Sequence, residues 1–179
     1  MEERLRYIFG NVNDWLKFAE TKNGALITLN GACIFGIFQI ENWGNISDNF
    51  ELWTKWLFVS SLAISTGLAL FSFMPYTRSL NAQSKLNSDN PLDFKSLNFY
   101  FFGHIKFFDD KTFLEVLYKD TNTSIPNLYP KTEEFLARQI IVNARIASKK
   151  YGYFAWAIKF CVLGIAATCL FVLGKIIFG

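Results

Sequence analysis

Three long apolar stretches lie along the chain, and polar segments of unequal length separate them. The stretches cover residues 24–40, 56–76 and 160–174. A bilayer core about 30 Å thick needs about 20 helical residues, so the second stretch is long enough alone and the other two need their flanks. Lys159 and Lys175 bracket the third stretch and can extend their ammonium groups towards opposite interfaces. The pattern therefore predicts three transmembrane helices, two near the N-terminus and one at the C-terminal end.

Aromatic residues cluster where the ends of the second and third stretches are expected to meet the membrane interfaces. They are Trp53, Trp56, Tyr151, Tyr153 and Trp156. Amphipathic rings favour this depth in a bilayer, so their placement supports the predicted spans. A soluble bundle of unusually apolar helices is the alternative, but charge-free runs of this length are typical of membrane helices.

The N-terminal arm has the pattern of an amphipathic helix. Its apolar residues recur at helical spacing, and no proline interrupts the run into the first apolar stretch. These residues are Leu5, Ile8, Val12, Trp15 or Leu16, and Ala19. One long helix entering the membrane is therefore predicted.

The long polar segment between the second and third stretches reads as mainly helical. Residues 81–98 have the composition of a connector, residues 112–120 that of a short helix, and residues 121–130 that of a loop. Thr132 can cap a last helix whose first turn holds two glutamates, and this helix can run on into the third span.

The resulting fold class is an all-α membrane protein with four predicted parts. They are an amphipathic helix at 1–23, a two-helix transmembrane hairpin at 24–76, a sensor segment at 77–152 and a transmembrane helix at 153–179.

Lysine and arginine predict the orientation of the spans. The arm carries four of them, the segment 77–152 carries eleven, and the loop 41–52 carries none but has three acidic residues. By the positive-inside rule, the N-terminus and the segment 77–152 are cytoplasmic, and the loop and the C-terminus lie outside.

The composition excludes several classes of protein. The chain is 51% hydrophobic and 18% charged, and its net charge of +3 is explained by topology rather than by nucleic-acid binding. Cys33, Cys161 and Cys169 lie inside the apolar stretches, far from partners at metal-ligand spacing. There is no P-loop, nucleophile elbow or zinc-protease motif, and Asp109 and Asp110 before Lys111 are typical of a solvated loop. No catalytic residue, metal site or cofactor is predicted.

Polar residues interrupt the first two spans. The candidates for a polar path through the membrane are Asn30, Ser61, Ser65 and Thr66. Such side chains can bond between helices, which is packing alone, or they can line water. An amide at mid-membrane depth needs a partner in either case. Because three spans are few for enclosing a pore, a conducting path would require several copies of the chain.

A basic stripe precedes the third span. Arg138, Arg145 and Lys149 lie within about 40° of one another on a helix, and Lys150 is adjacent. Positive-inside topology and anionic lipid explain such a stripe, but it can also hold the phosphates of a soluble ligand. Nearby aromatic rings could then stack on a base, which adds Tyr100 and His104 to the candidate ligand-binding residues. A structural role for the single histidine and packing of the rings are the alternatives.

Three segments carry a family resemblance: the run FAETKNGALITLNGA at 18–32, the aromatic-Gly-His-Ile segment at 99–105, and the run QIIVNARIASKKY at 139–151. They resemble the Pycsar type of bacterial antiphage membrane effector. The family-like positions of the first run are Ala19, Lys22, Asn23, Ala25, Leu26, Asn30 and Gly31, and the Lys-Tyr pair falls on Lys150 and Tyr151. Hailong-type channel effectors, which a DNA oligomer controls, share this plan.

The resemblance implies a multi-pass effector of the bacterial inner membrane. A partner cyclase or nucleotidyltransferase would make a nucleotide second messenger, and the effector would respond as a homo-oligomeric channel, expected to be a tetramer, or by disrupting the bilayer. Depolarisation and growth arrest would follow. Two other classes remain open from the residues: a non-conducting anchor that recruits a cytoplasmic partner, and an enzyme of lipid or nucleotide chemistry.

Overall fold

The computed structural model describes residues 1–39, 49–75 and 97–178, and every regular element in these ranges is an α-helix. The helices are α1 (Glu2–Phe38), α2 (Asn49–Phe71), α3 (Phe102–Ile105), α4 (Asp110–Asp120) and α5 (Lys131–Phe178). The all-α prediction is confirmed. Residues 41–48 of the loop predicted at 41–52 and residues 81–96 of the connector predicted at 81–98 lie outside the described residues, and residues 49–52 belong to α2.

Two helices are much longer than the others. α1 has 37 residues and α5 has 48, which correspond to about 56 Å and about 72 Å of helix. α1 continues from the N-terminal arm into the first apolar stretch, and α5 continues from the basic stripe into the third. Both continuations agree with the sequence pattern, since no proline breaks either run.

The chain divides into two compact units, and α1 and α5 contribute to both. Unit 1 consists of Met1–Ala19 and Pro75–Lys150, and unit 2 consists of Glu20–Met74 and Tyr151–Gly179. Each unit therefore takes residues from both ends of the chain.

Unit 1 has an apolar core to which the N-terminal arm contributes directly. The side chains of Leu5, Ile8 and Val12 are completely buried, as their helical spacing predicts. The other fully buried large residues of this unit include Ile105, Phe113, Leu114, Leu117 and Ile140. The arm up to Ala19 is thus one wall of unit 1, and the division of the chain into four parts stays a prediction.

Three polar contacts fix the arm in unit 1. Asn11 donates to the carbonyl oxygen of Tyr100 at 3.0 Å, and Asn143 donates to the Oδ1 atom of Asn13 at 2.7 Å. The guanidinium of Arg4 pairs with Asp120 at 2.6 Å. These contacts join residues far apart in the sequence and therefore set the rotation of the arm about its axis.

The starts of α4 and α5 differ from the sequence prediction. Asp109 is the N-cap of α4 and accepts from the backbone N–H of Thr112 at 2.9 Å, so the two aspartates belong to a helix start rather than to a solvated loop. α5 begins at Lys131, where the carbonyl of Pro130 accepts from the N–H of Glu133. Thr132 therefore lies inside the helix and does not cap it.

A buried hydrogen bond connects α4 to the first turn of α5. The Tyr118 hydroxyl donates to a Glu133 carboxylate oxygen at 2.9 Å, and both residues are buried. Burial of the phenol, and secondly its bond to Glu133, raises the pKa of Tyr118 to about 12 from the ordinary value of 10.0.

Replacing Tyr118 by phenylalanine should lower the free energy of unfolding of unit 1 at neutral pH by about 1–3 kcal/mol, because the Glu133 carboxylate loses its buried donor. The raised pKa also gives a pH dependence: the wild-type stabilisation is complete below pH 10 and is lost as the pH rises through about 12. Tyr118→Phe should flatten that alkaline decline. Circular dichroism melts in detergent, with the exposed Tyr7→Phe as control, measure both effects, and an equally steep decline in the Tyr118 variant would contradict the assignment.

Unit 2 is a bundle of the remaining parts of α1, α2 and α5. Its buried apolar cluster is Leu26, Ile37, Phe58, Leu62, Ala69, Ala157 and Cys161. By length and composition, two helical segments of the described chain can cross a membrane, Leu52–Phe71 and Lys131–Gly174. The first apolar stretch, residues 24–40, is not among them. The span predicted at this stretch therefore remains a prediction, and so does the total of three spans.

Candidate functional site

A seam of polar side chains runs through the interior of unit 2. The Asn30 amide donates to the Ser65 hydroxyl at 2.8 Å and to the Thr66 hydroxyl at 3.1 Å. The Ser65 hydroxyl in turn donates to the backbone carbonyl of Ala157 at 2.8 Å. One amide on α1 is thereby connected through α2 to α5.

Two further contacts extend this seam. The Ser61 hydroxyl donates to the carbonyl of Phe160 at 2.6 Å, and the Asn23 amide donates to the Ser72 hydroxyl at 3.0 Å. Gly164 lies against Ser61, where an added Cβ would be 3.1 Å from the serine Cβ atom. The close approach of α5 to α2 depends on the missing side chain at this position.

The four residues predicted for a polar path thus form hydrogen bonds with one another or with backbone carbonyls inside the bundle. Asn30 and Ser65 are fully buried, Ser61 is buried and Thr66 is half-buried. The Asn30 amide has hydrogen-bond partners, as the sequence led us to expect. Its Oδ1 atom is buried and has no hydrogen-bond partner within the part of the chain that the structure describes.

The outer surfaces of the three helices differ in character. α2 and α5 present large apolar side chains, among them Trp56, Leu57, Ile64, Leu163, Leu170 and Leu173. α1 also exposes Leu29, Phe35 and Phe38, but one arc of its surface carries small or polar residues. We call this arc the α1 stripe: Thr21, Ala25, Thr28 and Ala32, continued by Gln39 directly after the helix. On a helix with 3.6 residues per turn these positions fall within an arc of about 60°, with exposed Phe35 at its edge.

Sequence reasoning missed the α1 stripe, although a signal was present. Thr21, Ala25, Thr28 and Ala32 follow one another at alternating spacings of four and three, the spacing of a helix-packing seam. The sequence analysis considered the polar residues of the spans and not the small residues of this face. The amides of Asn23 and Asn30 lie about 180° from the stripe, so the seam inside the bundle holds the stripe outward.

The basic residues predicted to bind a ligand in unit 1 point to different partners. Arg138 is exposed and forms an ion pair with Asp110 at 3.0 Å. Arg145 is half-buried and donates to the backbone carbonyls of Lys106 and Phe108 at 3.0 and 2.8 Å. Lys149 is exposed and Lys150 is half-buried. The arginines of the stripe therefore do not converge on one point, despite their common helix face.

The candidate ring residues are also used within unit 1. The Nδ1 atom of His104 accepts from the backbone N–H of Asn98 at 2.9 Å, and the imidazole meets the Phe101 ring edge to face. Tyr100 packs edge to face on Tyr7 with 5.9 Å between ring centroids, and Arg4 lies over its face at 5.8 Å. These contacts agree with the packing alternative for the aromatic cluster.

One functional candidate in unit 1 was not predicted. Lys106 follows α3 and donates from its ammonium to the Ser148 hydroxyl on α5 at 2.9 Å. No periodicity marks a single lysine in an aromatic run, so the sequence offered no signal for it. In the described part of the chain, no three His, Cys, Asp or Glu side chains come together as metal ligands do.

Comparison with known proteins places these features in a family. The model of the Pycsar effector protein domain, PycTM, matches residues 4–177, which is nearly the whole chain. Neither the curated proteins nor the solved structures gave a match. The chain therefore belongs to the Pycsar effector family of antiphage membrane effectors, which respond to a cyclic nucleotide made by a partner cyclase.

Proposed function

We propose that this effector crosses the bacterial inner membrane three times and assembles into a homo-oligomeric channel or membrane-disrupting complex. Its N-terminus and residues 77–152 are cytoplasmic, and a cyclic nucleotide bound there controls the assembly. Opening depolarises the membrane and arrests growth of the infected cell, which is an abortive response to infection.

The observation that carries this proposal is the α1 stripe. α2 and α5 expose many large apolar side chains, whereas the α1 stripe exposes threonine, alanine and glutamine between Leu29 on one side and Phe35 on the other. Small side chains offer lipid few contacts, but they let two helices approach closely. Threonine hydroxyls and a terminal amide also suit a wall that faces water. A face with both properties suits a contact between copies of the chain that together surround a water-filled path.

The polar seam supports the same assignment from the inside. Rotating α1 would break the bonds from Asn30 to Ser65 and Thr66, so the seam fixes which face of α1 is turned away from its own bundle. The hydroxyl of Thr28 in the stripe donates to the Gly24 carbonyl of its own helix at 3.1 Å. Its oxygen can still accept from water or from a neighbouring copy.

The stripe can be tested with one pair of alanine substitutions. Ala32 lies in the α1 stripe and Ala166 lies exposed on α5, so Ala32→Leu and Ala166→Leu add the same side chain to two surfaces of one unit. We expect Ala32→Leu to reduce depolarisation at least about tenfold, because the larger residue separates copies or fills the path. Ala166→Leu should conduct like the wild type.

The measurement is ion flux from liposomes that contain the purified protein and the cyclic nucleotide, together with a potential-sensitive dye in cells that carry the cyclase. Equal flux from both variants would remove the stripe from the conduction path. A wild-type protein that inserts but passes no ions with any cyclic nucleotide would contradict the channel and favour the non-conducting anchor.

A further inference from the structure

Unit 1 contains two neighbouring cations that share no acidic partner. Lys106 and Arg145 are both half-buried, and the Nε atom of Arg145 donates to the backbone carbonyl of Lys106 itself at 3.0 Å. The ammonium of Lys106 donates to the Ser148 hydroxyl at 2.9 Å and lies 4.8 Å from the centroid of the Phe107 ring. All of these partners are uncharged.

Other cations of unit 1 do form ion pairs with acidic side chains. Arg4 pairs with Asp120, Lys119 with Glu115 and Arg138 with Asp110. The acid nearest to Lys106 along the chain, Asp109, accepts from the backbone of Thr112 instead. Among the described residues, neither Lys106 nor Arg145 forms an ion pair.

Positive charges that are partly removed from water and have no acidic partner are stabilised by a bound anion. Donors for an anion remain. Arg145 uses its Nε and one Nη atom on carbonyls, and Lys106 uses one ammonium proton on Ser148, whose own hydroxyl proton is also available. Ammonium, guanidinium and hydroxyl donors are the usual partners of phosphate oxygens.

A ring borders this group of donors. The Phe107 side chain is 38% exposed, so one part of it packs while another remains open. An exposed aromatic face beside phosphate donors fits a ligand that combines a phosphate with a flat apolar or aromatic group.

We propose that Lys106, Arg145 and Ser148 form a binding site for a phosphodiester monoanion, with Phe107 at its border, and that the ligand is the cyclic nucleotide. The inference rests on the proposed function only in its choice of the nucleotide, because an anionic phospholipid headgroup carries the same phosphodiester. Lys106 and Ser148 supply donors that can rearrange towards the ligand. Arg145 holds the end of α3 in place and adds its remaining donors.

The test uses Lys106→Gln in the full-length protein, with Lys111→Gln as a matched control. Lys111 is an exposed lysine of the same unit, and its substitution removes the same charge. Binding of the four common 3′,5′-cyclic nucleoside monophosphates is measured in nanodiscs of phosphatidylcholine. Retention of phosphatidylglycerol by the protein in detergent is measured by native mass spectrometry.

We expect Lys106→Gln to weaken binding of the cognate cyclic nucleotide about tenfold or more, as loss of a charge-assisted hydrogen bond does, while Lys111→Gln changes it less than about twofold. Ser148→Ala should weaken it in the same direction from the α5 side, and Lys106→Arg should recover part of the affinity. Circular dichroism melts identify any variant that has unfolded. If Lys106→Gln does not fold, the affinity of Ser148→Ala decides the test.

Three results would overturn the proposal in distinguishable ways. If Lys106→Gln and Ser148→Ala both bind the nucleotide with unchanged affinity and still depolarise the membrane, the proposed site is refuted. The proposed function is then unaffected. Loss of phosphatidylglycerol retention alone assigns the site to lipid and refutes the nucleotide as its ligand. A wild-type protein that binds none of the four nucleotides refutes the ligand and the nucleotide control together.

Discussion

Gly164→Leu should prevent α2 and α5 from packing and should destabilise unit 2 by about 2–4 kcal/mol. An added Cβ at Gly164 lies 3.1 Å from the Ser61 Cβ, 3.2 Å from its Oγ and 3.6 Å from the Phe58 carbonyl oxygen. A methyl group fits only if the serine shifts by a few tenths of an ångström, and a leucine has no room. The Ser61 bond to the Phe160 carbonyl would break as the helices separate.

Gly174→Leu is the control for this substitution. Gly174 lies on the same helix, and an added Cβ there meets nothing within 4 Å. Thermal unfolding in detergent, followed by circular dichroism, should rank the proteins as wild type and Gly174→Leu, then Gly164→Ala, then Gly164→Leu. If Gly164→Leu melts with the wild type, the close approach of α5 to α2 at Ser61 is not required for stability.

Asn30→Asp should destabilise unit 2 more than Asn30→Leu does, although aspartate is the closer match in shape. The Asn30 amide faces Ser65 as a donor, and the proton of that serine is already donated to the Ala157 carbonyl. A carboxylate at this position brings two acceptors towards an acceptor, and it also brings a buried charge. We expect about 3–5 kcal/mol of destabilisation, the range for a buried charge without a partner.

Asn30→Leu has a smaller expected cost because two effects oppose each other. It removes the bonds to Ser65 and Thr66, worth about 1–2 kcal/mol each, but it also removes the buried Oδ1 atom, which has no partner among the described residues. We expect a net loss of about 1–2 kcal/mol. Thermal unfolding in detergent should therefore show that Asn30→Asp is less stable than Asn30→Leu, and this order of stability is the result that tests the argument.

Asn13→Asp provides a control for the chemical change itself. The Oδ1 atom of Asn13 is an acceptor for the Asn143 amide, so a carboxylate keeps this bond. Its melting temperature should stay close to that of the wild type. An Asn30→Asp protein as stable as Asn30→Leu would show that the Asn30 amide is not oriented as a donor to Ser65.

The parts of the fold that depend on local pattern could be predicted from the sequence. Leu5, Ile8 and Val12 recur on one face of a helix, and all three are buried. The absence of proline predicted that α1 and α5 are continuous. Hydropathy identified two helical segments that meet the requirements of a span, because mean hydropathy is an average over consecutive residues and does not depend on distant partners.

The rotation of each helix could not be predicted, because it depends on partners that are distant in sequence. Asn30 was recognised as an amide that needs a partner, but whether its partner was water or another helix depended on the position of Ser65. Arg145 was placed on a basic stripe, and its carbonyl partners belong to the region around the four-residue helix α3. An isolated helix of that length does not form, so no local pattern announces it.

The N-cap of α5 was predicted two positions away from where it occurs. Thr132 has the chemistry of an N-cap, but the helix starts at Lys131 because the Pro130 carbonyl already accepts from the N–H groups of Glu133 and Glu134. Proline fixes its own backbone angle and lacks a donor, which suits the position before the first turn. Asp109 has the side chain that caps α4, and it was misread because its neighbour Asp110 made the pair resemble a loop.

The division of α1 and α5 between the two units has a consequence for synthesis. A ribosome makes α1 first and α5 last, and unit 1 and unit 2 both need residues from each. An unfinished chain can therefore complete neither unit. Under the function proposed above, truncated translation products would be unable to depolarise the cell that makes them.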